Sequence, residues 1–216
     1  MYLALTAPRE RGRRDRLLDR LLLVRHAHSA SNERDVVSCA PPGEGLSDLG
    51  VEQARALRET LAPEPIDLGL ATELRRARQT LELALEGRAV QTEVFPGLNE
   101  IDFGSFEGGP LSAYREWAWT NEPPAACPGS GESRLDAALR FAGALDDLLA
   151  RPAGTVLVVS HALPVRYVLD ASEGRFPPQR IGLVPNATPF RLDRASVERA
   201  AQTLRSWADA PRFAGA

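Results

Sequence analysis

Lysine is absent from the chain: all 26 residues counted as lysine plus arginine are arginines. Any anion held by a fixed charge is therefore held by a planar guanidinium fork, the geometry suited to carboxylate and phosphate. Over most of the surface the same bias is compositional and says nothing of function. Cysteine is almost absent too. Cys39 and Cys127 are far apart and in no CxxC pattern, which argues against a disulfide framework or a thiolate zinc site and leaves two unrelated free thiols. Long apolar runs are missing: Leu21-Leu22-Leu23-Val24 is only four residues, far short of the ~18 that span a bilayer. The arginine-dense segment before it carries Glu10, Asp15 and Asp19, unlike a secretory signal. A cytoplasmic address with no membrane partner is expected. A net charge of −3 gives no reason to expect nucleic acid.

What is present is an ordinary globular composition, 44% hydrophobic and 25% charged over 216 residues, enough for one generous domain. Residues 1–20 hold six arginines and three acids and read as a basic N-terminal extension, a solvated arm outside a single domain at 21–216. From Leu21 strands alternate with helices. Strands are expected at Leu21–Arg25, Ile66–Ala71, Val90–Phe95 and Thr155–Ser160, with outer strands near Ile181–Val184 and Thr188–Leu192. Ser29 to Asn32 begins a short helix or loop. Ser47 caps a helix to about Leu61 with Leu49, Ala54, Leu57 and Leu61 as its apolar stripe. Further helices are expected from Thr72 or Glu73 to near Glu86, over Leu111 to Trp119, from Ser130 or Ser133 to about Ala150, from His161 to about Asp170, and from Ser196 onward. For the helix ending near Ala150 the expected core face is Leu135, Leu139, Ala142, Leu145 and Leu149. This alternation predicts an α/β fold, three layers with a mostly parallel central sheet covered on both faces.

Such sheets place ligands beyond the carboxyl ends of their strands, and the three histidines obey that rule. His26 and His28 follow the first strand and His161 follows the Thr155–Ser160 strand. Phosphoryl transfer to a side chain needs an unprotonated nucleophile, fixed cations around the phosphate oxygens and an acid for the departing oxygen. Each has a candidate at this edge: His26; Arg25 and Arg76; and Glu100, in a glycine-punctuated loop after the third strand. His161, at a helix start, adds backbone N–H groups suited to an anion.

At these residues the chain resembles the histidine phosphatase superfamily, in the branch containing the phosphoglycerate mutases. Leu22-Leu23-Val24-Arg25-His26-Ala27-His28-Ser29-Ala30-Ser31-Asn32 is similar to its Arg-His-Gly signature with an Asn six residues after the His. Leu74-Arg75-Arg76-Ala77-Arg78-Gln79-Thr80 matches its Leu-x-Arg-Ala-x-Gln-Thr and singles out Arg76. Leu98-Asn99-Glu100 with Phe103-Gly104 and Glu107-Gly108 resembles the loop of the acid, and Val158-Val159-Ser160-His161-Ala162 the segment of the second histidine. Weaker echoes are Leu46-Ser47-Asp48-Leu49-Gly50, Gly131-Glu132-Ser133 and Pro185-Asn186-Ala187.

The resemblance implies a phosphoglycerate mutase-like fold and a metal-independent phosphatase with no cofactor, acting on a small phosphorylated metabolite as a monomer or homodimer. His26 would form a phosphohistidine that water hydrolyses, and Glu100 would give and then take the proton. Arg25, Arg76 and His161 would hold the phosphoryl oxygens, with Asn32, Ser38 and Ala162 in substrate binding. Ala27 and Ala162 replace glycines common in the family. The missing lysine favours a phosphatase over mutase-type transfer, because the mutases hold their substrate with a lysine. The leaving group is expected among Phe103, Phe106, Trp117, Trp119 and the 122–131 loop. Two other classes compete: a metal-dependent hydrolase built on His26-Ala27-His28 with His161, and a non-catalytic phosphate-binding module.

Overall fold

The computed structural model describes residues 17–213. Five strands form one sheet: β1 (Arg20–Arg25), β2 (Leu68–Ala71), β3 (Gln91–Val94), β4 (Thr155–Ser160) and β5 (Pro189–Asp193), in the order β3-β2-β4-β1-β5. The first four are mutually parallel and β5 runs antiparallel on the edge beside β1. Seven helices accompany them: α1 (Ala30–Glu33), α2 (Asp48–Leu61), α3 (Arg75–Ala84), α4 (Leu111–Ala118), α5 (Arg134–Leu149), α6 (Ala162–Ser172) and α7 (Arg194–Asp209).

The central strands are buried on both faces, and their period-two alternation divides the core. Leu21, Leu23, Val156 and Val158 point toward the α5, α6 and α7 layer, packing with Phe141, Leu145, Tyr167 and Trp207. Leu22, Val24, Leu157 and Val159 point the other way, onto Leu57 and Leu61 of α2 and Ala77 and Leu81 of α3. Two apolar layers around one sheet make the three-layer α/β/α fold. No helix among the described residues is long and apolar enough to cross a membrane.

Three expectations need correction. Ile181–Val184 forms no strand; its carbonyls turn to arginines instead, Val184 accepting from Arg25 and Leu183 from Arg166. On α5, Leu139 is 45% exposed while Ala138, Phe141 and Leu148 are buried, because that helix is covered by both the sheet and α7 and small alanines fill much of the contact. Leu49 of α2 is likewise 50% exposed, its place in the contact taken by Gly50. A Cβ on Gly50 would lie 1.8 Å from the His28 carbonyl oxygen, so only glycine lets α2 start this close to the segment following β1. The basic extension falls almost wholly on residues 1–16, outside the described residues. Beyond them, Leu18 is fully buried and Arg20 already belongs to β1.

Candidate active site

Register brings the site together. Arg25 of β1 pairs with Ser160 of β4, and Ala71 of β2 with Val159, so three parallel strands end side by side. The residues that follow, His26, Thr72 and His161, therefore meet at one edge. The ring centroids of His26 and His161 are 5.2 Å apart.

The tautomers follow from the partners. Nδ1–H of His26 donates to the Ala27 carbonyl at 2.7 Å, since that oxygen can only accept, which leaves a lone pair on Nε2. Arg76 Nε donates to that lone pair at 3.1 Å. The same guanidinium donates to Nδ1 of His161 at 3.3 Å, so His161 carries its proton on Nε2 and gives it to Thr72 Oγ1 at 2.7 Å. Burial, with Arg76 and Arg25 beside it, pushes the pKa of His26 well below the usual imidazole range, and burial with Arg76 and His26 does the same for His161. Both rings are held neutral, as a nucleophile requires.

The frame around His26 is tight. Its N–H donates to Ser160 O at 2.8 Å, and its carbonyl accepts from Asn186 Nδ2 at 2.7 Å. Ala27 N–H donates to Thr80 Oγ1 at 3.0 Å. Ala27 is fully buried, and its methyl is accommodated where the family commonly has glycine.

Arg25, His26, Asn32, Ser38, Arg76, Glu100 and Ala162 all line one cavity of about 280 Å³. His161 does not; it is fully buried beneath Arg76. Arg76 is anchored by its donation to the Ser38 carbonyl at 2.7 Å, and Arg25 by donation to Val184 O at 2.7 Å, its Nε being left without a partner. Asn32 Oδ1 accepts from Ser29 N–H at 3.1 Å, closing a capping box on α1, so its amide keeps donors for a ligand. Burial raises the pKa of Glu100, against the pull of the Ile101 N–H, Arg76 and Arg25. Among the described residues Glu100 is the one acidic residue lining the cavity, against Arg25, Arg76, Arg115 and Arg134. Such a cavity selects anions.

His28 stays outside. Its Nδ1 bonds Ser47 Oγ at 2.8 Å and its N–H donates to Gln53 Oε1, so the His-x-His pair of the competing metal reading does not converge. Among the described residues no three His, Cys, Asp or Glu side chains gather as metal ligands.

The outer wall also differs from expectation. Phe103 and Trp119 line the cavity, but Phe106 and Trp117 stack behind it on Tyr114, and the 122–131 loop does not reach it. The wall is completed by Leu111, Tyr114 and Arg115 of α4 and by the irregular segment 179–184. Local pattern misreads that segment as a strand, because its place is set by contacts distant in sequence, Arg134 donating to Gln179 O at 2.6 Å. Thr72, Thr80 and Asn186 were equally hidden as partners, although Thr80 and Asn186 sit in quoted motifs.

With the geometry in hand, the profile described as histidine phosphatase superfamily (branch 1) matches residues 21–210. An adenosylcobalamin/alpha-ribazole phosphatase of Salmonella typhimurium (strain LT2) is 36% identical over 122 residues, covering 52% of this chain and 58% of that protein. The chain is thus matched to under two thirds of that relative's length. Among solved structures, a putative alpha-ribazole-5'-P phosphatase from Escherichia coli aligns with a TM-score of 0.68 at 28% identity, covering 82% of this chain and 90% of the other. A mycobacterial glucosyl-3-phosphoglycerate phosphatase aligns at 0.66 and 26% identity, covering 81% and 92%.

Proposed function

Since the chain belongs to the histidine phosphatase superfamily, branch 1, we propose that it hydrolyses a small-molecule phosphomonoester through a phosphohistidine on His26, without a metal. The observation that carries this is the hydrogen bonding of His26: Nδ1 lies 2.7 Å from the Ala27 carbonyl, which can only accept, so the lone pair is on Nε2, where it accepts from Arg76 Nε and faces the cavity cations.

Arg76 exchanges its bond to Nε2 for a phosphoryl oxygen when substrate enters, and Arg25, Asn32 and the N–H groups at the start of α6 hold the remaining oxygens. As Arg76 shifts, Nδ1 of His161 is left facing the phosphoryl group and accepts the proton that a substrate monoanion carries, so that the ring holds that oxygen through an N–H···O bond. Nε2 attacks phosphorus, the bond to the leaving oxygen breaks, and that oxygen takes the proton of Glu100. The imidazolium so formed is stabilised by the Ala27 carbonyl. Water then attacks the phosphohistidine, Glu100 takes its proton, and the P–N electron pair returns to Nε2. The raised pKa of Glu100 supports its acid role. Relatives that are phosphatases support hydrolysis over mutase transfer, and the compact cavity with Phe103, Tyr114 and Trp119 on its wall supports a small ester.

The test is phosphate release from nitrophenyl phosphate and from a panel of phosphorylated metabolites, with and without EDTA. Activity is expected to survive EDTA and to vanish in His26→Ala. Loss on chelation would overturn metal independence, and full activity in His26→Ala would overturn the mechanism.

A further inference from the structure

The Gly131-Glu132-Ser133 motif takes no part in the chemistry above, yet it lies against the loop that carries Glu100. Glu132 and Arg140 of α5 form a two-pronged pair, Arg140 Nε to Oε1 at 2.8 Å and Nη2 to Oε2 at 2.7 Å. The remaining donors of Arg140 go to backbone carbonyls of the acid loop: Gly97 O and Asn99 O at 3.1 Å each, and Glu100 O at 3.3 Å. Glu132 holds the far side, its own N–H donating to Asp102 O at 2.9 Å. Residues 97–102 are thereby tied on both sides of the acid, to Arg140 of α5 and to Glu132 just before that helix's cap. Gly131 makes the approach possible, because a Cβ there would lie 2.7 Å from Gly104 N and 2.8 Å from Asp102 O.

The chemistry fits a clamp better than an ordinary surface ion pair. Side-chain exposure is 28% for Arg140 and 17% for Glu132, and an arginine paired by two parallel bonds has one geometry, which a lysine or an isolated contact would not impose. Other loop ends are held elsewhere: Leu98 O accepts from Ser160 Oγ at 2.7 Å, and Asn99 Nδ2 donates to Glu73. The Arg140–Glu132 pair grips the backbone of Glu100 itself, of Asn99 before it and of Asp102 beyond it.

We infer that Arg140 and Glu132 are positioning residues that hold Glu100 at the distance from which it protonates the leaving oxygen. The inference rests on Glu100 being the acid. Proton donation matters most when the leaving group is a poor one, so the readout is the ratio of kcat/KM for an alkyl phosphate to that for nitrophenyl phosphate, whose leaving group needs little help. A partly misfolded preparation lowers both rates equally and leaves the ratio unmoved.

Glu100→Gln, Arg140→Gln, Arg140→Lys and Glu132→Gln are measured together. Glu100→Gln is expected to lower the ratio by about 100-fold or more. Arg140→Gln and Glu132→Gln should lower it by about 10- to 100-fold, the cost of misplacing a catalytic group by the order of an ångström, with Arg140→Lys between these and the parent. If Glu100→Gln lowers the ratio and the Arg140 and Glu132 variants do not, the clamp is overturned and the acid role stands. If Glu100→Gln leaves the ratio unchanged, the acid role itself fails and the clamp with it.

Discussion

Arg76 is the residue on which the site turns, because one guanidinium donates to a lone pair of each histidine and so selects the unprotonated nitrogen, Nε2 of His26 and Nδ1 of His161. That has a consequence for stability. In the unfolded chain an imidazole gains its proton as pH falls through about 6.5, whereas burial and the neighbouring arginines hold His26 and His161 neutral far below that value. The unfolded state then binds more protons, so their contribution to stability is intact above pH 6.5 and is lost as pH falls below it. Tm is expected to drop between about pH 6.5 and pH 5, with a smaller drop in His26→Asn; a flat profile would contradict neutral histidines. Thr72 has a separate task, taking the Nε2 proton of His161. Thr72→Val keeps the shape but leaves that buried N–H unpaired, a cost of about 1–3 kcal/mol. Weaker competitive inhibition by inorganic phosphate is the expected sign that the ring has lost its orientation. Glu100 sets the alkaline side: its raised pKa keeps it protonated above the ordinary carboxyl range. The kcat/KM of a poor leaving group should therefore fall as pH rises through that raised value, while nitrophenyl phosphate shows a shallower fall.

Helix starts decide where the catalytic groups stand. α2 begins against the His28 carbonyl and fixes the segment after His26, so Gly50→Ala forces the two apart. A loss of about 1–3 kcal/mol, typical of overpacking, is expected in denaturant unfolding, together with reduced turnover. Gly143 is the contrast, since a Cβ at this exposed position of α5 meets nothing within 4 Å. Gly143→Ala should stabilise by about 0.5–1 kcal/mol through helix propensity and leave turnover unaltered. Much at this scale was legible beforehand. The Ser47 cap, the strand ending at Arg25 and the strand ending at Ser160 are written in local pattern and side-chain chemistry, and of Ser130 and Ser133 it is Ser133 that caps α5. The 181–184 segment and the true face of α5 were not, because both are decided by neighbours far along the chain: Arg25 and Arg166 for the one, α7 for the other.

Across the whole molecule, parallel strands ending in register convert positions 25, 72 and 160 of the sequence into one edge, and one helical layer packs on each face of the sheet behind it. This is why a few short motifs sufficed to name the residues that the structure brings to the cavity, while the outer wall escaped notice: the inner residues follow strand ends, and the wall is made by α4 and an irregular segment tied down by Arg134. His161 is the partial exception, arriving beneath Arg76 and outside the cavity lining. On the proposed mechanism the same division separates what is general from what is specific: Arg25, His26, Arg76 and Glu100 would meet the phosphoryl group of any ester, and the wall would meet the rest of it. The claim on which all of this rests is that His26 becomes phosphorylated. The direct measurement is rapid mixing with an excess of turned-over substrate, alkaline denaturing quench, and mass spectrometry of the intact chain and its peptides. The account predicts a single phosphoryl adduct, stable in alkali and labile in acid, mapped to the peptide containing His26 and missing from His26→Ala. Phosphate release at an undiminished rate in His26→Ala, or a phosphoryl adduct mapped to another side chain, would contradict it.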